Sequence, residues 1–369
     1  MSQDETKFHG ARLAVIGVGG GGCNAVDTMV ERAVAGVDFI ALNTDAQALA
    51  NSRAPQRFQL GRDLTRGLGA GANPAIGREA ALADRERIAE LVQGMDLVFI
   101  VAGMGGGTGT GAAPVVAEVC REVGALTVGI ATTPFAFEGR TRARLAVDGL
   151  STLKEQVDTL VIIPNDRLIA LVDPNTPMSA AFSMVDEVMV RGVRAISDLV
   201  RDTGRINVDF ADVRTIISDR GAALLAVGTG RGAHRTVDAA AAAISTPLLA
   251  EVRVQGARNV LISVTGPSDL TLHEVSEAAT LIGDEAHEDV NLIWGWVIDD
   301  RLGDRVEVTI LATGFEDMGA RSGNTAWRPK TTAATRRVSP EERVSRRTGG
   351  RPVVDVEDYD VPSFFRKVE

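Results

Sequence analysis

Four glycine-rich stretches are the residues of this chain best suited to chemistry, and that chemistry is anion binding. Gly17-Val18-Gly19-Gly20-Gly21-Gly22 follows an apolar run and opens a helical stretch. After it come Gly67-Leu68-Gly69-Ala70-Gly71-Ala72, the run Gly103–Gly111 (GMGGGTGTG) and the turn Thr132–Gly139. Glycine lets backbone N–H groups approach an anion with no Cβ in the way, and a helix N-terminus adds its dipole. One such loop is equally well read as a structural turn. Several converging on one sheet edge are not. The first stretch also satisfies G-x-G-x-x-G, with Asp45 about twenty residues on, as a dinucleotide fold requires. A run this rich in glycine satisfies many patterns, however. A two-phosphate cofactor needs one such loop, and three or four suit a nucleoside triphosphate.

The usual cation is missing from these loops. No G-x-x-x-x-G-K-[ST] occurs, and the only lysines, Lys7, Lys154, Lys330 and Lys367, lie elsewhere. Phosphate charge must then be met by backbone amides, by Thr108, Thr110 and Asn24, by a metal ion and by Arg142.

The elements that must hold these loops alternate between strand and helix. Apolar runs at Leu13–Ile16, Phe39–Leu42, Leu97–Val101, Thr127–Ile130 and Leu160–Ile163 have the β-branched character of fully buried parallel strands. Helical periodicity lies between them, as at Ile76–Leu91 and Arg142–Val157. This order predicts an α/β fold, an open Rossmann-like parallel sheet covered on both faces. The first, third and fourth glycine loops then leave the carboxyl ends of strands, where such sheets bind ligands. A long central helix is predicted over Ser179–Arg201, with Phe182, Val185, Val188, Met189, Val193, Ile196 and Leu199 on one stripe. A second, smaller α+β unit begins near Gly204. Its strands are expected at Ala223–Val227, Val260–Val264, Leu292–Val297 and Val306–Leu311, with helices near His234–Ser245 and Leu272–Ile282. The last two strands have no helix between them, so this sheet is expected to be antiparallel in part.

Composition narrows the function classes. The 369 residues carry a formal charge of −10, which argues against holding a nucleic acid by bulk charge. Two cysteines, Cys23 and Cys120, exclude a disulfide scaffold and suit a reducing compartment. No apolar run approaches the ~20 residues of a membrane span, and the N-terminus is polar, so a cytoplasmic protein is expected. Residues 317–350 hold eight basic residues against three acidic ones with no apolar periodicity, and read as a disordered linker. Beyond them, Tyr359, Val361, Phe364 and Phe365 form either a solvated terminus or a short motif that folds onto a partner.

Together these motifs resemble the tubulin/FtsZ family, and within it bacterial FtsZ. GMGGGTGTGAAP (Gly103–Pro114) looks like the family's signature loop. GVGGGGCNAV (Gly17–Val26), NTDAQAL (Asn43–Leu49), GLGAGANP (Gly67–Pro74), TPFAFEGRTR (Thr133–Arg142), PND (Pro164–Asp166) and NVDFADVRT (Asn207–Thr215) follow in that family's order. The resemblance covers about residues 10–316 and the terminal DVPSFFRK. It implies a flexible start (1–10), a GTP-binding domain (11–177), a central helix (178–203), an assembly domain (204–316), a linker (317–354) and a partner-binding peptide (355–369).

The resemblance also implies site roles. Gly20, Gly21, Gly22, Cys23, Asn24, Gly107, Thr108 and Gly109 would hold the phosphates of GTP or GDP, with Mg²⁺ carried by the nucleotide and no metal site built by the protein alone. Gly71 and Ala72 would lie near the γ-phosphate, Glu138 and Arg142 near ribose and phosphates, and Asn43 and Pro134 beside the nucleotide. Asn165, Phe182 and Asp186 would form the base pocket. Phe182 and Asp186 are four residues apart and share a helix face, so the ring can stack on a purine while the carboxylate accepts from guanine N1–H and the 2-amino group; an ordinary amphipathic helix with a solvated Asp is the other reading. Asn207, Asp209 and Asp212 would be the catalytic loop, although an Asp before a helix also serves as a cap. A ~20-residue helix separates them from the base by some 30 Å. The family resolves this by head-to-tail stacking, each subunit's acids reaching the next one's nucleotide, which builds an open filament at the midcell division ring.

The terminal peptide would dock on membrane tethers and division regulators; direct membrane contact of Phe364 and Phe365 is the other reading. Cys23 stands where most members have glycine, which either puts an oxidation-sensitive side chain near phosphate or is simply a tolerated small residue. Trp294 and Trp296 share a strand face, either in the core or as an exposed patch. Two other readings remain: an NAD-dependent Rossmann oxidoreductase, suggested by the first loop and Asp45, and a non-hydrolysing structural paralogue, which would lack the acids retained here.

Overall fold

β-Branched and aliphatic runs with no polar face become strands buried on both sides, and that accounts for the middle of this molecule. The computed structural model describes residues 10–169, 173, 175–200, 208–219, 221–245 and 254–315. Asn207, the first nine residues, the linker and the terminal peptide lie outside them. Strands β1 (Leu13–Val18), β2 (Val37–Asn43), β3 (Gln56–Gln59), β4 (Leu97–Gly103), β5 (Leu126–Thr133) and β6 (Thr159–Pro164) pair in parallel in the order β3-β2-β1-β4-β5-β6. The period of two sends Leu13 and Val15 into one core cluster and Ala14, Ile16 and Val18 into another.

Connecting helices are α1 (Gly19–Glu31), α2 (Ala46–Asn51), α3 (Arg62–Thr65), α4 (Pro74–Ala83), α5 (Arg85–Val92), α6 (Thr108–Glu122), α7 (Arg140–Gln156) and α8 (Asn165–Ile169). The single helical stretch expected over Ile76–Leu91 is broken at Asp84. That residue ends α4 and begins α5, and its carboxylate accepts from the Gly61 amide at 2.6 Å. The long helix α9 (Met178–Val200) buries Val185, Met189, Val193, Ile196 and Leu199. Phe182 leaves that stripe and is 40% exposed.

The second half comprises α10 (Phe210–Ile217), β7 (Gly221–Arg231), α11 (Arg235–Ile244), β8 (Asn259–Gly266), α12 (Leu272–Glu285), β9 (Asn291–Ile298) and β10 (Arg305–Thr313). β10 is antiparallel to both β7 and β8 and lies between them, so the last two strands of the chain are not neighbours. A feature beyond the sequence reading is that β7 begins by pairing with β6 in parallel (Thr159 with Gly221, Leu160 with Ala222, Val161 with Ala223). Ten strands therefore form one mixed sheet. Trp294 and Trp296 are half-buried against the cluster beneath α11 and α12. Among the described residues no helix is long and apolar enough to cross a membrane.

Candidate functional site

The carboxyl ends of β1, β2, β4 and β5 open into one cavity of about 640 Å³. Two helices start there. Neither α1 nor α6 has a side-chain cap or an acidic residue in its first turn, so their leading N–H groups face the cavity as free donors with the positive dipole end behind them.

Glycines around the cavity do two different jobs. At Gly22 an added Cβ would stand 2.2 Å from the Val101 carbonyl oxygen, and at Gly109 one would stand 2.5 Å from that of Gly103. These two let a helix lie directly on a strand. Gly20, Gly71 and Gly106 have open space where a Cβ would project, and all three line the cavity. Among the described residues nothing lies where a Cβ at Gly20 or Gly106 would project, so the backbone there is open to a ligand. The cradle therefore fits a polyphosphate.

Of the residues singled out in sequence, Gly20, Gly21, Asn24, Asn43, Gly71, Ala72, Gly107, Thr108, Gly109, Pro134, Glu138, Arg142, Asn165, Phe182 and Asp186 all border this cavity. Gly22 and Cys23 lie beneath it. The Cys23 thiol points away, 3.7 Å from the carbonyl oxygens of Gly17 and Leu42, and burial pushes its pKa up to about 12. It is a core side chain and not a phosphate neighbour, which corrects the expectation drawn from its place in the loop. Thr110 is likewise turned inward, where its hydroxyl accepts from the Gly105 amide at 2.9 Å and braces the loop.

Further polar residues contribute, of which the sequence did not single out Thr44. Thr44 is buried and shares a 2.6 Å hydroxyl contact with Thr108, fixing the first residue of α6. Thr132, at the end of β5, also borders the cavity. Their signal is a polar residue at the carboxyl end of a buried apolar strand. Asp45 borders the cavity too, but one of its carboxylate oxygens accepts from the Ala48 amide at 3.0 Å and caps α2. That role accounts for its type without a dinucleotide ribose.

One end of the cavity combines an aromatic ring with a carboxylate and an amide. Phe182 stands edge-on to Phe135, ring centroids 5.3 Å apart, and Asp186 lies one turn further along α9. The Asn165 Oδ1 is buried with no hydrogen-bond partner among the described residues, an acceptor that a ligand donor would satisfy. Burial raises the Asp186 carboxyl to about 6, and a weak hydrogen bond from the Thr28 hydroxyl at 3.5 Å opposes the shift. The ionisable lining is Asp45, Glu138, Arg142 and Asp186, with Arg142 paired to Glu138. One guanidinium against three carboxylates leaves the side-chain lining short of positive charge for a polyphosphate.

Asp209 and Asp212 are elsewhere. Both are exposed, and neither borders the cavity. Asp209 occupies the N-cap position of α10, yet its carboxylate accepts no capping hydrogen bond, and Asp212 lies in the first turn. The Val208 amide donates to the Leu199 carbonyl at 3.4 Å, which ties this acidic segment to the far end of α9. At roughly 1.5 Å per residue, Leu199 is about 25 Å along the helix from Phe182.

Comparison with known proteins agrees with this architecture. A model described as Tubulin/FtsZ family, GTPase domain matches residues 12–173, and one described as FtsZ family, C-terminal domain matches residues 221–316. A solved structure of an FtsZ dimer from M. jannaschii is 42% identical with a TM-score of 0.80, covering 84% of this chain and 89% of that one. A GTPγS-bound protofilament of CetZ2 from Haloferax volcanii shares the fold at 22% identity and a TM-score of 0.69, covering 83% of this chain and 94% of the other.

Proposed function

This chain belongs to the tubulin/FtsZ family, and we propose that it is a GTPase of the bacterial division ring that polymerises head-to-tail and hydrolyses GTP where two subunits meet. The observation that carries the reading is the separation of the two halves of the chemistry. Phosphate cradle and purine pocket lie at one end of α9, and the exposed carboxylates of Asp209 and Asp212 are tied to the other. Acids about 25 Å along a rigid helix from the base pocket cannot act on their own nucleotide. They can act on a neighbour's.

Apolar exposure supports such a contact. Leu68 (84% exposed) and Phe182 border the cavity, Phe137 (64%) stacks on Phe135, which meets Phe182 edge-on, and Leu272 in the second half of the chain is 76% exposed. Single exposed side chains are ordinary, but apolar ones beside a ligand site favour burial against another surface. The M. jannaschii relative is described as a dimer, which agrees with self-association.

In this reading residues 11–177 bind GTP, 178–203 form the connecting helix and 204–316 carry the acids. Gly20, Gly21 and Asn24, with the backbone of Gly22 and Cys23 beneath them, and Gly71, Ala72 and Gly107–Gly109 meet the phosphates; Asn43, Pro134, Glu138 and Arg142 border ribose and phosphates. Asn165, Phe182 and Asp186 take guanine. Mg²⁺ bound with the nucleotide supplies the missing positive charge. Asn207, Asp209 and Asp212 of the next subunit orient the water that attacks the γ-phosphate, giving GDP and phosphate, by positioning and electrostatics. Loss of the γ-phosphate then weakens the joint. Residues 317–354 link the body to residues 355–369, which dock on membrane tethers and division regulators at a cytoplasmic midcell ring. Mixing a chain blocked in its glycine cradle with one lacking Asp212 tests the shared centre. Restored turnover supports it, and no rescue despite co-assembly contradicts it.

A further inference from the structure

Thr28 lies on α1, one turn past Asn24, and belongs to no glycine loop. Its hydroxyl oxygen is 3.0 Å from the Asn24 carbonyl oxygen and 3.5 Å from Asp186 Oδ2. Both neighbours are acceptors and a hydroxyl carries one proton, so Thr28 donates to one of them at a time. The shorter contact is to the helix carbonyl, and an ionised Asp186 competes for the same O–H. The same residue thus links the phosphate end of the cavity, through Asn24, to the base end.

No other group offers Asp186 this help among the described residues. On α1, Arg32 pairs with Glu187 at 3.4 Å, Asp27 accepts from Ser52 and from the Arg53 amide, and Glu31 pairs with Arg53. On α9 itself, Arg191 faces Glu187 and Glu307. Across the cavity Arg142 is held by Glu138. Asp186 is therefore a half-buried carboxylate with a neutral partner and, among the described residues, no cation acting on it. Burial brings it to about 6, close to the pH at which it would cease to accept from guanine.

We propose that Thr28 is a positioning residue of the base pocket, whose hydroxyl holds Asp186 in its ionised, guanine-accepting form and so sets the lower pH limit of GTP recognition. This deepens the assignment of Asp186 to the base. The sign follows from linkage. Guanine donates two N–H groups to the carboxylate, so the nucleotide binds the ionised form and lowers its pKa. Affinity is full above the free-protein value and falls as pH drops through it. Around pH 6 half the sites are competent, and near pH 5 GTP binds about tenfold more weakly. Adenine presents an acceptor at N1, which a protonated Asp186 meets as a donor. Selectivity for GTP over ATP therefore collapses on the same acid limb.

The test measures GTP and ATP dissociation constants for the full chain, kept below its assembly threshold, from pH 5 to 8. Thr28→Val and Thr28→Ala remove the hydroxyl, and Thr28→Ser keeps it. Both deletions should move the acid midpoint of GTP binding up by roughly half to one pH unit, with affinity at pH 8 within about threefold of the parent. Thr28→Ser should return the midpoint. An unmoved midpoint in both deletions, a serine variant shifted as far as they are, or a loss equal at every pH would each overturn the proposal. A parent chain that does not distinguish GTP from ATP at pH 8 instead removes the base-pocket reading itself, whatever the Thr28 variants do.

Discussion

Val208 donates its amide hydrogen to the carbonyl of Leu199 across 3.4 Å, and this bond fixes where the acids stand. It brings the chain back against the last turn of α9 just before Asp209. The cavity-lining Phe182 and Asp186 at one end of α9 and the carboxylates of Asp209 and Asp212 at the other are thereby held apart by a rigid element.

Asp212→Ala should leave GTP affinity unchanged within about twofold, because the residue does not border the cavity, while turnover falls about 10²-fold or more. Equilibrium binding and phosphate release on the same preparation check both halves. A parallel loss of binding would place Asp212 in the nucleotide site of its own chain.

Asp186→Ala should cost discrimination and not phosphate affinity. Guanine over adenine selectivity should drop by about 1–3 kcal/mol, roughly 5- to 150-fold. Competition of GTP and ATP for the variant measures this, and unchanged selectivity would remove Asp186 from base recognition.

The cradle glycines should separate into two classes. Gly22→Ala forces a Cβ against the Val101 carbonyl at 2.2 Å, so the folded state should lose about 1–3 kcal/mol, seen as a lower Tm. Gly20→Ala points into open space, so Tm should hold while GTP affinity falls. Equal melting temperatures for the two variants would contradict the division.

Much of this was legible in the chain. Strands β1, β2, β4, β5 and β6 follow from short aliphatic runs because a doubly buried strand needs no polar face. The glycine loops follow from their composition. β3 was not visible, since Gln56–Gln59 has a single apolar residue, Phe58. The placement of β10 between β7 and β8 is a tertiary choice that no local period records. Thr28 and Thr44 were hidden for the same reason. A lone hydroxyl has no pattern, and Thr28 meets a partner 158 residues away. Cys23 and Thr110 misled in the opposite sense, because residues inside a ligand loop can still turn their side chains into the core.

Leu272→Glu should block assembly without touching the nucleotide. The side chain is 76% exposed in the single chain, and burying a leucine is worth about 1.5–3 kcal/mol. Its charged replacement should raise the assembly threshold at least about tenfold in sedimentation, with GTP affinity intact. Normal polymer yield would take Leu272 out of the contact.

The shared centre is tested most directly by GTP turnover per chain over a protein-concentration series with Mg²⁺ present. Specific activity should be near zero below a threshold and rise steeply above it, at the concentration where polymer first sediments. Turnover per chain that is constant down to strictly monomeric dilution would contradict a reaction centre built from two copies.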